Sequence, residues 1–167
     1  MTAAPTNASY HPWTTYVVAR EEARQRGDRR VGTEHLVLAL LSDSEIEELL
    51  GATLETARSR LSGLDRDALE AIGLALEVQI PLLAERELPP RPTIRAVLDN
   101  RIKMTPAAKS ALQEAGKPMR RGEHISARQV LGAVVENHPP DPGTSLLPAL
   151  GVDLDRVRKT LRDSVPT

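Results

Sequence analysis

Apolar residues along this chain recur at helical spacing, and the longest run abuts an unusually polar start. Leu36-Val37-Leu38-Ala39-Leu40-Leu41 is apolar at every position, so it puts hydrophobic side chains on all faces of a helix and belongs in the middle of a bundle. Immediately before it, Val31-Gly32-Thr33-Glu34-His35 joins a glycine, a hydroxyl and an ionisable pair. Gly32 offers backbone angles closed to other residues. Thr33 is the expected cap, with Glu34 in the first turn against the positive end of the helix dipole. Upstream, Tyr16, Ala19 and Ala23 fall at i, i+3 and i+7 opposite a wet face of Arg20, Glu21, Arg24 and Arg26, and Gly27 ends that helix. Downstream, Ser44 to Leu50 forms a short helix stopped by Gly51. Thr53 then caps a fourth, on which Leu54, Ala57 and Leu61 repeat the i, i+3, i+7 register.

The same order returns further along. Thr105-Pro106 is a hydroxyl cap followed by a first-turn proline, and Ala108, Ala111, Leu112 and Ala115 form an apolar stripe behind it. Ile125-Ser126-Ala127-Arg128-Gln129-Val130-Leu131 echoes the Val31 segment, with Ser126 and Gln129 at capping-box spacing. Ala149-Leu150-Gly151-Val152-Asp153-Leu154 matches Leu49-Leu50-Gly51-Ala52-Thr53-Leu54, and Leu154, Val157 and Leu161 keep the register. The fold class predicted is all-α, a pseudo-two-fold double repeat of a four-helix unit. Its expected organisation is a flexible tail at 1–9, repeat one at 10–63, a long connection at 64–104 and repeat two at 105–167. The connection holds a helical stretch from Asp65 to about Ile80, with Ala71-Ile72-Gly73 as a decayed third copy of the Gly51 motif. An extended Pro89-Pro90-Arg91-Pro92 spacer and a short helix capped by Thr93 follow. His138-Pro139-Pro140-Asp141-Pro142-Gly143 resists helix and takes up the greater length of repeat two.

Composition narrows the chemistry. The hydrophobic fraction is 40% with no Phe, one Trp and two Tyr, so the core is aliphatic. A formal charge of −1, from 22 basic and 23 acidic residues, supplies no field for nucleic acid or an anionic membrane. The basic runs Arg24, Arg26, Arg29, Arg30 and Lys117, Arg120, Arg121 are interspersed with acidic residues and read as solvated surface. The absence of cysteine removes disulfides, thiol nucleophiles and thiolate metal sites. His11, His124 and His138 have no partner at metal spacing, and Glu34-His35 is not His-Glu-x-x-His, so neither a metal nor a cofactor is called for. No apolar stretch approaches the ~20 residues that span a bilayer, and a cytoplasmic location is expected.

These motifs resemble the Clp N-terminal domain, the double four-helix repeat that precedes the ATPase modules of bacterial Clp unfoldases. The likeness is closest in Glu21-Glu22-Ala23-Arg24, Gly27 and Val31 to Leu41, and continues through Thr105-Pro106-Ala107-Ala108-Lys109 and Leu150-Gly151-Val152-Asp153-Leu154. The resemblance implies recognition of substrates or adaptors rather than catalysis, and partners among Clp protease components, adaptors or substrates, phosphoarginine-marked proteins included. In such relatives a repeat binds phosphoarginine through a Thr near the start of its first helix and the Glu of Gly-Thr-Glu-His. By position, repeat one offers Glu34 with Ser9 in place of the Thr, and repeat two offers Thr105 with Arg128 in place of the Glu and Gln129 in place of the His. On that assignment neither copy keeps the full pair. Thr33 and His35 join Glu34, Ser9, Thr105 and Arg128 as candidate ligand or peptide contacts. For Glu34 the competing role is a helix-start carboxylate paired with Arg29 or Arg30; for His35 it is a buried histidine bonded to backbone.

No Gly-x-x-x-x-Gly-Lys-Ser/Thr phosphate loop and no Gly-x-Ser-x-Gly occurs in the sequence. The expectation is a stand-alone, non-catalytic interaction module that modulates Clp-dependent proteolysis. The alternative is a small-molecule sensor or sequestering protein with an apolar ligand in the groove between repeats.

Overall fold

In a computed structural model that describes residues 12–73, 102–117 and 125–163, the first helix, α1 (Pro12–Arg26), ends where Gly27 adopts a left-handed φ of 79°. A two-residue strand, β1 (Arg30–Val31), leads into α2 (Thr33–Leu40), followed by α3 (Ser44–Leu50) and α4 (Leu54–Ala71). A second strand, β2 (Lys103–Met104), leads into α5 (Pro106–Gly116), α6 (Ala127–Val135), α7 (Pro142–Ala149) and α8 (Leu154–Asp163). The tail at 1–9, the proline-rich spacer and the Thr93 helix lie outside the described residues.

The sequence motifs recur as structure. Gly51 and Gly151 close α3 and α7 in the left-handed conformation, with φ of 64° and 79°. Thr53 caps α4 by accepting from the Thr56 N–H at 3.2 Å, and Asp153 caps α8 by accepting from the Asp155 and Arg156 N–H groups at 3.0 and 3.1 Å. Thr105 caps α5 through the Ala108 N–H at 3.2 Å, and Pro106 occupies the first turn, where its missing N–H has no consequence. At α6 the capping box forms, the Ser126 hydroxyl accepting from the Gln129 N–H at 3.2 Å and Gln129 Oε1 accepting from the Ser126 N–H at 2.7 Å.

The apolar run sits where its pattern requires. Leu36 to Leu41 is buried throughout, and α2 packs against α1, α4, α5, α6 and α7. Its counterpart α6 buries Val130, Leu131, Val134 and Val135 and packs against α2, α5, α7 and α8. Two central helices in mutual contact, each ringed by its neighbours, place the core on the seam between the repeats. Among the described residues no helix is long and apolar enough to cross a membrane.

Two expectations are corrected. The helical stretch expected to begin at Asp65 is part of α4, one continuous helix of 18 residues that runs through Gly63. A single glycine in a helix costs only about 1 kcal/mol, and Arg26 of α1 ties the junction down by pairing with Asp65 and reaching Ser62 at 3.5 Å. Gly73, with φ of 78°, follows the end of α4, and the rest of that stretch, 74–80, lies outside the described residues. In repeat two, Pro142 and Gly143 are not loop. Asp141 accepts from the Thr144 N–H at 3.0 Å and caps α7, so Pro142 stands in its first turn.

One charged pair also holds α1 to α4. Glu22 is 5% exposed, and Arg58 donates to both its oxygens, Nε at 2.9 Å and a terminal nitrogen to the other. The Glu22 carboxylate raises the pKa of the Arg58 guanidinium, chiefly through this hydrogen bonding. Arg58→Met leaves a buried carboxylate to find water, and a loss of about 1 kcal/mol is expected, reduced from the full buried-pair value because Arg58 itself is half exposed. Urea unfolding followed by circular dichroism measures it; an unchanged midpoint would show the pair to be ornamental.

Candidate functional site

The two short strands decide where the site is. β1 and β2 pair in parallel, Arg30 with Lys103 and Val31 with Met104, and the Thr105 N–H extends the ladder to the Val31 carbonyl at 2.8 Å. Each strand turns at once into a helix, β1 through Gly32 into α2 and β2 through Thr105 into α5. The two helix starts therefore lie side by side and wall a cleft of about 440 Å³. Gly32, Thr33 and Glu34 form one wall, Thr105, Pro106 and Ala107 another, and Asn137, His138 and Pro140 to Pro142, ahead of α7, the third.

Gly32, not Thr33, is the residue that precedes α2, with φ −98° and ψ −178°. That is extended backbone open to any residue, so left-handed freedom does not explain this glycine. What the glycine permits is the position of Glu34: a Cβ built there would lie 2.2 to 2.5 Å from the Glu34 carboxylate, which folds back over it and would have to swing aside. The Gly32 N–H is satisfied by His35, whose Nδ1 accepts it at 3.0 Å, as Gln129 does in repeat two. An accepting Nδ1 carries no proton, so Nε2 holds it and donates to Asp28 Oδ2 at 2.9 Å. His35 is wholly buried, with both ring nitrogens engaged in this way.

Glu34 is differently placed. Its side chain is 17% exposed, and Oε1 lies 3.1 Å from His35 Nδ1, with no proton between them because that lone pair faces Gly32. Oε2 is buried with no hydrogen-bond partner. The pairing with Arg29 or Arg30 weighed for Glu34 is not made, and both arginines are exposed. Elsewhere in that basic run Arg24 pairs with Glu21, and Arg26 with Asp28 and Asp65.

Thr33 lines the cleft, yet its hydroxyl joins the repeats. It donates to Asp141 Oδ1 at 2.9 Å and accepts from the Gly143 N–H at 3.0 Å. Asp141, 7% exposed, has its other oxygen on the Thr144 N–H at 3.0 Å and within 3.1 Å of the Thr144 hydroxyl. Its charge is fully coordinated by the chain. Arg128, at the position of Glu34 in α6, pairs with Glu45 in the first turn of α3. Ser9, His11 and His124 lie outside the described residues, among which no group of His, Asp or Glu is arranged to hold a metal ion.

Of the candidates named from sequence, the fold brings Glu34 and Thr105 to one cleft, although positional counting assigned them to separate repeats. Thr105 accepts the Ala108 N–H, which leaves its own hydroxyl hydrogen for an acceptor. The Ala107 N–H, in the first turn of α5, has no intrahelical partner. A residue bearing a carboxylate thus lines the same cleft as one bearing a hydroxyl at the positive end of a helix. Such a cleft suits a group that carries a cation and an anion together. Asn137 was missed, and His138 was weighed only as a metal ligand, because their segment reads only as loop. Asp141 followed by proline and, two places on, a threonine had the form of a helix start and offered the one local signal.

The family model of the Clp repeat (R) N-terminal domain matches residues 11–140. No curated protein matches the chain. The family match takes in α1 to α6, both strands and the cleft as far as Pro140, well over half of the 167 residues. With the helical double repeat behind it, that match settles the affiliation: the chain belongs to the Clp repeat N-terminal domain family.

Proposed function

We propose that this chain is a non-catalytic recognition module that binds phosphoarginine, or a modified peptide side chain like it, in the cleft between the starts of α2 and α5. In the cytoplasm it would thereby influence which proteins reach a Clp protease. The family is one of Clp-associated protein-interaction domains. The observation that carries the finer reading is the pairing of the Glu34 carboxylate, one oxygen buried and unpartnered, with the Thr105 hydroxyl and the α5 start across the same cleft. A guanidinium is an apt partner for the first and a phosphoryl group for the second. Prolines and an alanine make up much of the wall, and the unpartnered Glu34 oxygen is the feature that an apolar small molecule would leave unsatisfied.

Calorimetric titration with phosphoarginine tests the reading. Saturable binding of one ligand per chain is expected, because the equivalent position in repeat two holds Arg128, already paired with Glu45. No heat up to millimolar ligand would remove phosphoarginine from consideration. Capture from a lysate that returns neither a Clp component nor proteolysis substrates would remove the Clp connection.

A further inference from the structure

Only two buried side-chain polar atoms among the described residues lack a hydrogen-bond partner, Glu34 Oε2 and Asn137 Nδ2, and both residues line the same cleft. Folded proteins leave few such atoms unpaired, and each calls for an explanation. These two are opposite in kind. A carboxylate oxygen accepts, and an amide nitrogen donates. They share a cleft yet do not satisfy each other, and Asp141, the other carboxylate there, has both oxygens coordinated within the chain. The Asn137 donor is spare.

It is also held in place. The Asn137 N–H donates to the Val134 carbonyl at 3.1 Å as α6 ends, and the Asn137 carbonyl lies 3.3 Å from the Thr144 hydroxyl in the first turn of α7. The backbone behind the side chain is thus tied to the end of a central helix and lies against the start of α7, where the single Thr144 hydroxyl hydrogen has the Val134 and Asp141 oxygens at 3.2 and 3.1 Å as its nearer acceptors. A donor carried on this backbone suits an acceptor close to the cation that Glu34 receives, such as an oxygen of a phosphoryl group bonded to a guanidinium nitrogen.

We propose that Asn137 is a ligand-binding residue that determines specificity, its side-chain amide donating to a phosphoryl oxygen of a ligand whose guanidinium sits on Glu34. The assignment rests on the phosphoarginine reading of the cleft. In it the amide tells a phosphorylated guanidinium from a bare one. Thr105 and the α5 start take the other phosphoryl oxygens.

Phosphoarginine and agmatine, a guanidinium without the phosphoryl group, serve as probes in calorimetric titrations. Asn137→Leu keeps the volume and removes the donor; phosphoarginine affinity is expected to fall about tenfold while agmatine binds as before. Asn137→Asp replaces the donor by a negative acceptor, so phosphoarginine should weaken further and agmatine should bind more tightly than to the unaltered chain. As a measurement free of substitution, the Asn137 side-chain amide resonances should shift on adding phosphoarginine and stay put with agmatine. Unaltered phosphoarginine affinity in both variants, or amide resonances that do not move, would overturn the role of Asn137 and leave the cleft reading intact. A wild-type chain that binds no phosphoarginine would overturn both.

Discussion

Gly143→Ala is expected to lower folding stability by about 1–3 kcal/mol, the range for overpacking a close-packed site. A Cβ at this position would lie 2.8 Å from the Thr33 carbonyl carbon and Cβ and 2.9 Å from its oxygen. Those atoms belong to the backbone and stem of a residue 1% exposed at the start of the central helix α2, so neither side can yield as the tip of a long side chain would. Separation also strains the Gly143 N–H bond to Thr33, and through Thr33 the bond to Asp141, the residue that caps α7. In the first turn of an ordinary helix the same change would be neutral or helpful, since alanine is the better helix former. Sign therefore discriminates. Urea unfolding by circular dichroism should show a lower midpoint at unchanged slope, with Ser145→Ala, exposed on the same helix, as the control. A midpoint equal to or above that of the parent chain would mean that the α2–α7 contact is looser than its distances state.

Much of this fold is legible because helix signals are local. The i, i+3, i+7 registers at Ala19 and Ala23, at Ala57 and Leu61, and at Val157 each end up buried, and the caps at Thr53, Thr105, Ser126 and Asp153 form as their spacing predicts. Where one turn decides the outcome, four residues of sequence suffice. Failures fall where the deciding contact is distant. Gly63 leaves α4 unbroken because neighbouring residues favour helix and Arg26 braces the helix from α1. β1 and β2, only two residues each, carry no periodicity; their pairing joins segments far apart in the chain and is set by the packing of the helices they precede.

That same pairing governs how much of the site could be read. Glu34 and Thr105 stand out individually, one as a carboxylate at a helix start and one as a hydroxyl before proline. Counting along each repeat pairs them with Ser9 and Arg128, since counting presumes that each four-helix unit builds its own pocket. Parallel strands place the entry of α2 beside the entry of α5, a proximity that counting cannot show, while Ser9 lies outside the described residues. Thr33 shows the converse. Its position beside Glu34 marks it as a contact, whereas its hydroxyl is engaged by Asp141 and Gly143 of the other repeat. No spacing within Val31 to Leu41 could have disclosed partners that lie beyond residue 140.

Glu34→Ala is expected to weaken phosphoarginine binding on the order of a hundredfold and to leave the protein as stable as before, or up to about 2 kcal/mol more so. The binding term follows from removing the only unengaged carboxylate of the cleft; charge-assisted hydrogen bonds contribute about 1.5–3 kcal/mol, and each 1.4 kcal/mol is about tenfold in affinity. The stability term is the more diagnostic. A buried acceptor without a partner costs about 1–3 kcal/mol, while a carboxylate in the first turn of a helix returns about 0.3–1 kcal/mol through the helix dipole. Glu34 Oε2 bears the first of these, and His35, not Glu34, satisfies the Gly32 N–H. Truncation thus removes a burden along with a benefit, and the burden is the larger. A purely structural helix-start carboxylate would behave the other way, its loss lowering the unfolding midpoint with no effect on ligand. Paired unfolding and titration of the parent chain and the variant separate the two roles: a variant destabilised by more than 1 kcal/mol that still binds phosphoarginine with parental affinity would assign Glu34 to the scaffold and empty the cleft of its cation site.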